Sequence, residues 1–138
     1  MVKSETISVQ TKGFCDIVDI TPPVTALVEK SRIKNGIVTV FCSGSTGAVT
    51  TIEYESGVLE DLKKSVERLV PANIPYDPDQ RWGDGNGFAH VRAALVGPSL
   101  TVPLLNGTLT LGTWQQIVFI DFDNRKRQRK ILVQVMGD

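Results

Sequence analysis

Ser99–Met136, SLTVPLLNGTLTLGTWQQIVFIDFDNRKRQRKILVQVM, governs the architecture. Its runs Ser99–Pro103, Gly107–Gly112, Gln116–Phe122 and Arg129–Met136 have strand length and strand composition. Leu105-Asn106-Gly107 and Asp123-Asn124 separate them with residue types that reverse a chain. Successive strands joined by tight turns pair antiparallel, so the carboxy-terminal half is predicted to be mostly antiparallel sheet.

Working back from there, Phe88–Val96 predicts a short helix closed by Gly97-Pro98. Before it, residues 71–87 form a Pro-, Asp- and Gly-rich connector of a length that usually carries function. Ser56–Pro71 holds Leu59, Leu62, Val66, Leu69 and Val70 at helical spacing, with Glu60 and Asp61 complementing the helix dipole. Residues 36–41 and 48–53 read as buried strands around a polar loop at 42–47. Thr21 with Pro22 opens a predicted helix over 22–34 that Gly36 ends. Residues 5–12 and 15–20 read as an opening hairpin. The fold class is α+β, a single compact domain over residues 1–138, mostly antiparallel sheet with two or three helices.

A chain of 138 residues, 41% hydrophobic, suffices for one core, and fifteen basic residues balance fifteen acidic ones, so any ligand affinity is local. No apolar run reaches the roughly 20 residues that span a bilayer, and the amino terminus is alternating and charged, which predicts a cytoplasmic protein. Cys15 and Cys42 lack metal-ligand spacing and read as small buried residues, with a reactive thiol at Cys42 as the alternative.

The richest polar stretch is Arg81-Trp82-Gly83-Asp84-Gly85-Asn86-Gly87-Phe88-Ala89-His90, where three alternating glycines lead to the chain's single histidine. It lacks the Gly-Lys-Ser/Thr of a P-loop, the last glycine of a dinucleotide-binding turn and the ligand spacing of an EF-hand. A polar loop feeding a helix remains, whose N-terminus suits an anion. Asp84 and Asn86 offer oxygen ligands of the kind magnesium takes, and equally serve as ordinary turn residues. Ser43-Gly44-Ser45-Thr46-Gly47 has the composition of a phosphate nest, or of a plain hairpin loop. Glu53 either points into the same cleft or is a solvated edge carboxylate. Trp114, in Gly112-Thr113-Trp114-Gln115, is core, pocket wall or oligomer contact. Arg125, Lys126, Arg127, Arg129 and Lys130 read as a solvated, aggregation-blocking face, since no aromatic residue is interleaved as in nucleic-acid binders.

SGSTGAVTTIE (43–53), GDGNGFAHVRAALVGPSL (83–100), Val102-Pro103, GTLTLGTWQ (107–115) and the closing Met136-Gly137-Asp138 together resemble the secondary thiamine-phosphate synthase family, also called YjbQ-like. The match runs across nearly the whole chain. The resemblance implies a compact α+β fold, a homotrimer, and a weak activity that joins a pyrimidine diphosphate to a thiazole phosphate with loss of pyrophosphate. By its motifs, His90 matches the family histidine, Glu53 its carboxylate and Thr113-Trp114-Gln115 its Gly-Thr-Trp-Gln turn.

Many members carry histidine where this chain has Gly44 and Phe88, and a third near Asp77–Gln80. With His90 alone a histidine-bound zinc has too few ligands, and magnesium is the metal the substrates imply. The expectation is a cleft between loops 43–47 and 81–90 that binds a phosphorylated small molecule, within or between subunits. His90 acts there as acid or base, Asp84 and Glu53 position substrate or magnesium, and Ser43, Ser45, Thr46, Arg81, Asn86, Thr113 and Gln115 hold phosphate and substrate. The rival reading is a non-catalytic binding or assembly protein that has lost the family's histidines.

Overall fold

The computed structural model describes the backbone of residues 1–138 and all side chains other than those of Gln80 and Arg81. Strand β7 (Gln116–Asp121) carries Ile117, Val118, Phe119 and Ile120 without a polar break, a pattern that suits a strand covered on both faces. It is the centre of a three-stranded sheet, flanked by β2 (Asp16–Asp19) and β4 (Gly47–Ile52), both antiparallel to it. Ile117 and Phe119 enter one core, Val118 and Ile120 the other.

Strand β8 (Arg127–Gly137) alternates instead, with Ile131, Val133 and Val135 inward and Lys130, Gln134 and Met136 outward. It lies between β1 (Val2–Thr11) and β3 (Gly36–Cys42) in a sheet completed by β5 (Ser99–Leu105) and β6 (Thr108–Leu109), all antiparallel. The two sheets and helix α1 (Thr21–Ser31) enclose the first core. Helices α2 (Ser56–Leu69) and α4 (Gly87–Val96) cover the far face of the three-stranded sheet and enclose the second. Arg92 joins these helices, donating through Nε to the Val70 carbonyl at 3.0 Å, pairing with Glu67 and lying 4.9 Å from the Phe88 ring centre. Among the described residues no helix is long and apolar enough to cross a membrane.

The α+β class and antiparallel pairing are as the sequence predicts, but several connections are not. The opening hairpin does not form, because β1 pairs with β8 and β2 with β7. Between them Gly13, Phe14 and Cys15 hold φ of 79°, 52° and 64° and carry the chain from one sheet to the other. Residues 43–46 and 122–126 likewise cross between sheets rather than close hairpins. Turn residues mark where a chain reverses; which strand then accepts it is settled by the core it covers. Helix α1 ends at Ser31, with Arg32 left-handed at φ 60°, and Ile20 rather than Thr21 precedes it. The Thr21 hydroxyl accepts instead from the Ile117 N–H at 2.8 Å. The long connector contains a short helix, α3 (Asp77–Trp82).

Candidate functional site

All three crossings meet at one end of the molecule. The Phe14 N–H donates to the Asp123 carbonyl at 2.8 Å, and the Phe122 N–H to the Thr46 carbonyl at 2.9 Å. The Gly97-Pro98 link between α4 and β5 joins them, since the Pro98 carbonyl accepts from the Cys42 N–H and the Gly97 carbonyl from the Val49 N–H. Beside this junction opens a cleft of about 220 Å³, walled by Gly44, Ser45 and Gly47 on one side and His90, Ala93, Ala94 and Pro98 on the other. The half-buried imidazole of His90 has no hydrogen-bond partner among the described residues. Small residues around it leave room for one.

Beneath the loop lies a charged cluster formed because β8 keeps its alternation to its start. Arg127 and Arg129 continue the inward row of Ile131, Val133 and Val135. Arg129 grips fully buried Asp121 with Nε on Oδ2 and Nη2 on Oδ1, each at 2.8 Å, and Nη2 also donates to the Thr46 hydroxyl at 2.6 Å. Thr46 in turn donates to Asp123 at 3.0 Å, and Arg127 pairs with the same carboxylate at 3.0 Å. Burial pushes the carboxyls of Asp121 and Asp123 up, but hydrogen bonds, led by Arg129 on Asp121 and Arg127 on Asp123, bring both below the usual range. The basic run is thus not one solvated face: Arg125, Lys126 and Lys130 are exposed, while Arg127 and Arg129 turn inward. The strand period continuing through Arg129 and Arg127 was the signal available in the sequence.

The predicted site residues fall into separate groups. Ser45 and His90 line the cleft. Ser43 is exposed outside it, and the Thr46 hydroxyl is committed to Arg129 and Asp123. Asn86 is buried, its side-chain oxygen accepting from the Asn124 N–H at 3.1 Å, while Asn124 donates to the Asp84 carbonyl at 2.8 Å. The glycine loop is therefore stitched to the 123–125 bend, with Asp84 exposed on its outside. The Arg81 side chain lies outside the described residues. At a strand rise of about 3.3 Å per residue, Glu53 stands about 20 Å along β4 from Gly47, so it does not share the cleft with His90 in one protomer. Thr113, Trp114 and Gln115 belong to that far end, where Gln115 donates to Thr51 at 3.0 Å and Trp114 is 72% exposed.

The start of α4 does not present the open anion site its sequence suggests. Its Gly87 N–H already donates to the Asp79 carboxylate at 2.8 Å. A magnesium ion held jointly by Asp84 and Glu53 does not fit this arrangement, because the two carboxylates lie at opposite ends of the three-stranded sheet and Asp84 Oδ1 accepts from the Asn86 N–H. Among the described residues no three His, Cys, Asp or Glu side chains converge as metal ligands. Both cysteines are free and buried, and burial pushes their thiols up, Arg129 only partly offsetting this at Cys42 and Arg92 at Cys15.

Comparison with known proteins agrees with this architecture over its whole length. A UPF0047 protein of Methanothermobacter thermautotrophicus is 39% identical over 136 residues, covering 99% of this chain and 93% of its own. The UPF0047 protein YugU of Bacillus subtilis is 32% identical, covering 96% and 98%. Among solved structures, a YbjQ-like protein of unknown function from Sulfolobus solfataricus superposes with a TM-score of 0.94 at 33% identity, covering 100% of this chain and 99% of its own. An uncharacterised conserved protein of the yjbq/upf0047 family from Clostridium acetobutylicum gives 0.88 at 32%, covering 96% and 99%. The family model described as UPF0047 protein YjbQ-like matches residues 5–138, and with these relatives it establishes that the chain belongs to that family.

Proposed function

We propose that the cleft between the 43–46 crossover and α4 binds a phosphorylated small molecule, and that the protein catalyses there a weak coupling of a pyrimidine diphosphate to a thiazole phosphate. The observation that carries this reading is the meeting, across about 220 Å³, of the glycine- and hydroxyl-rich crossover with the single histidine, which has no hydrogen-bond partner among the described residues. His90 is the proton donor to the departing pyrophosphate oxygen, and Ser45 orients the phosphate. No step here passes through a metal ion.

The test is the coupling rate with both phosphorylated substrates for the native protein and His90→Ala. A fall of about 10²-fold or more is expected, the usual worth of a positioned acid. Equal background rates in the two proteins would sink the catalytic reading. The second reading, a binding protein without catalysis, draws on one fact: among the described residues His90 is the only titratable side chain lining the cleft.

We also propose a homotrimer. It is supported by the outer face of the five-stranded sheet, which no helix covers and which exposes Ile37, Phe41, Leu105 and Met136, the first and last paired across β3 and β8. A second apolar surface, the exposed Trp114, stands at the same end of the three-stranded sheet as Glu53, so a neighbouring copy could supply to the cleft the predicted residues that this protomer keeps there. Sedimentation equilibrium should return a mass of three chains, and a monomer at micromolar concentration would refute the assembly.

A further inference from the structure

We propose that Arg129 is the anion-recognising residue of this cleft, taking a terminal phosphoryl group on the one edge of its guanidinium that the protein leaves free. The inference rests on the reading of the cleft as a phosphorylated-ligand site, and it names the group that reads the phosphate. An arginine has five N–H donors. Nε gives one to Asp121 Oδ2, and Nη2 gives two, to Asp121 Oδ1 and to Thr46. Nη1 keeps both of its own, with no acceptor among the described residues. The side chain is 14% exposed, so this edge is neither lost in the core nor spread in solvent.

Gly44 determines where that edge can be reached. A β-carbon on Gly44 would lie 3.2 Å from Arg129 Nη1, with the Cys42 sulfur at 3.9 Å as the next neighbour. Gly44 itself walls the cleft, so Nη1 lies next to a wall residue that has no side chain to cover it. Its φ is not in the left-handed region, so no backbone demand explains a glycine there. Asp121 holds the guanidinium by two parallel bonds, so little rotamer freedom remains to be lost when a ligand binds. The adjacent Ser45 hydroxyl, exposed on the same wall, supplies a further donor. Thr46 does not touch the ligand; it is a positioning residue that clamps Nη2 and so aims Nη1.

The experiment titrates the full chain with inorganic phosphate and pyrophosphate, followed by calorimetry and by the arginine side-chain signals in nitrogen-15 spectra. The native protein should bind with salt-dependent affinity and shift the Arg129 signals. Gly44→Val covers Nη1, which must give by a few tenths of an ångström, and should weaken binding tenfold or more in a protein that still unfolds cooperatively. Arg129→Lys, which keeps the charge beside Asp121 but loses the second nitrogen, should weaken it comparably. Arg125→Gln, removing an exposed neighbouring charge, should leave it within twofold.

Native affinity in Gly44→Val, or equal loss in Arg125→Gln, would overturn the assignment while leaving the cleft as a phosphate site. No binding of either anion by the native protein would also overturn it. The coupling assay with His90→Ala then judges the reading of the cleft separately.

Discussion

Asp121→Ala is expected to cost about 3–5 kcal/mol of folding stability, the usual result of leaving one member of a buried ion pair alone. For a chain of this size that lowers Tm by about 10 °C or more. The carboxylate is fully buried and accepts from Arg129 twice, from the Thr11 hydroxyl at 2.6 Å and from the Asp123 N–H at 3.0 Å. Removing it takes away these four bonds at once, leaving Thr11 the Arg127 carbonyl at 3.2 Å and Arg129 the Asp123 carboxylate at 3.7 Å. The same carboxylate gives the protein an acid limit. Its pKa is lower folded than unfolded, so as pH falls the unfolded chain takes up the proton first. Its contribution is whole above about pH 4, near the unfolded value, and drains away below it. Asp121→Asn should flatten that acid dependence of the urea midpoint, and an unaltered slope would refute the assignment.

Gly36→Ala is expected to cost about 3 kcal/mol or more, through strain that no side-chain rotation relieves. Gly36 and Gly137 face each other where β3 pairs with β8, at φ 158° and 154°. A β-carbon on Gly36 would lie 1.9 Å from the Met136 carbonyl oxygen, and one on Gly137 2.0 Å from that of Asn35. Both collisions are with backbone, so the strands themselves must part. Gly83→Ala is the comparison: φ is 68° but nothing among the described residues lies within 4 Å, so only the left-handed penalty of about 1–2 kcal/mol applies. Urea denaturation of the two variants should rank Gly36→Ala as clearly the more damaging, and equal midpoints would count against the clash.

Much of the fold was legible because its strongest elements advertise their own period. Leu59, Leu62 and Val66 announced α2, and the unbroken Ile117–Ile120 run announced β7. Pairing partners were not legible, because the turns after β1, β3 and β7 look local in sequence and act between sheets in space. The site was legible to the extent that the crossover and His90 share a cleft. Glu53 misled because it follows the crossover closely in sequence while an extended strand carries it away. Arg129 was hidden inside a basic cluster, where composition suggested solvent and only the alternation from Ile131 backward pointed inward.

The convergence of three sheet-to-sheet crossings, 12–15, 43–46 and 122–126, on one end means that the cleft is built from the seam of the molecule. Moving the 43–46 backbone to suit a new ligand would loosen both Phe122 and Arg129 from Thr46, and the two sheets with them. A new specificity here would therefore have to arise by trimming or adding side chains on a fixed frame, with Gly44 and Ser45, both exposed on the cleft wall, as the places to expect it. Drift at those two exposed positions costs less than drift in the stitching.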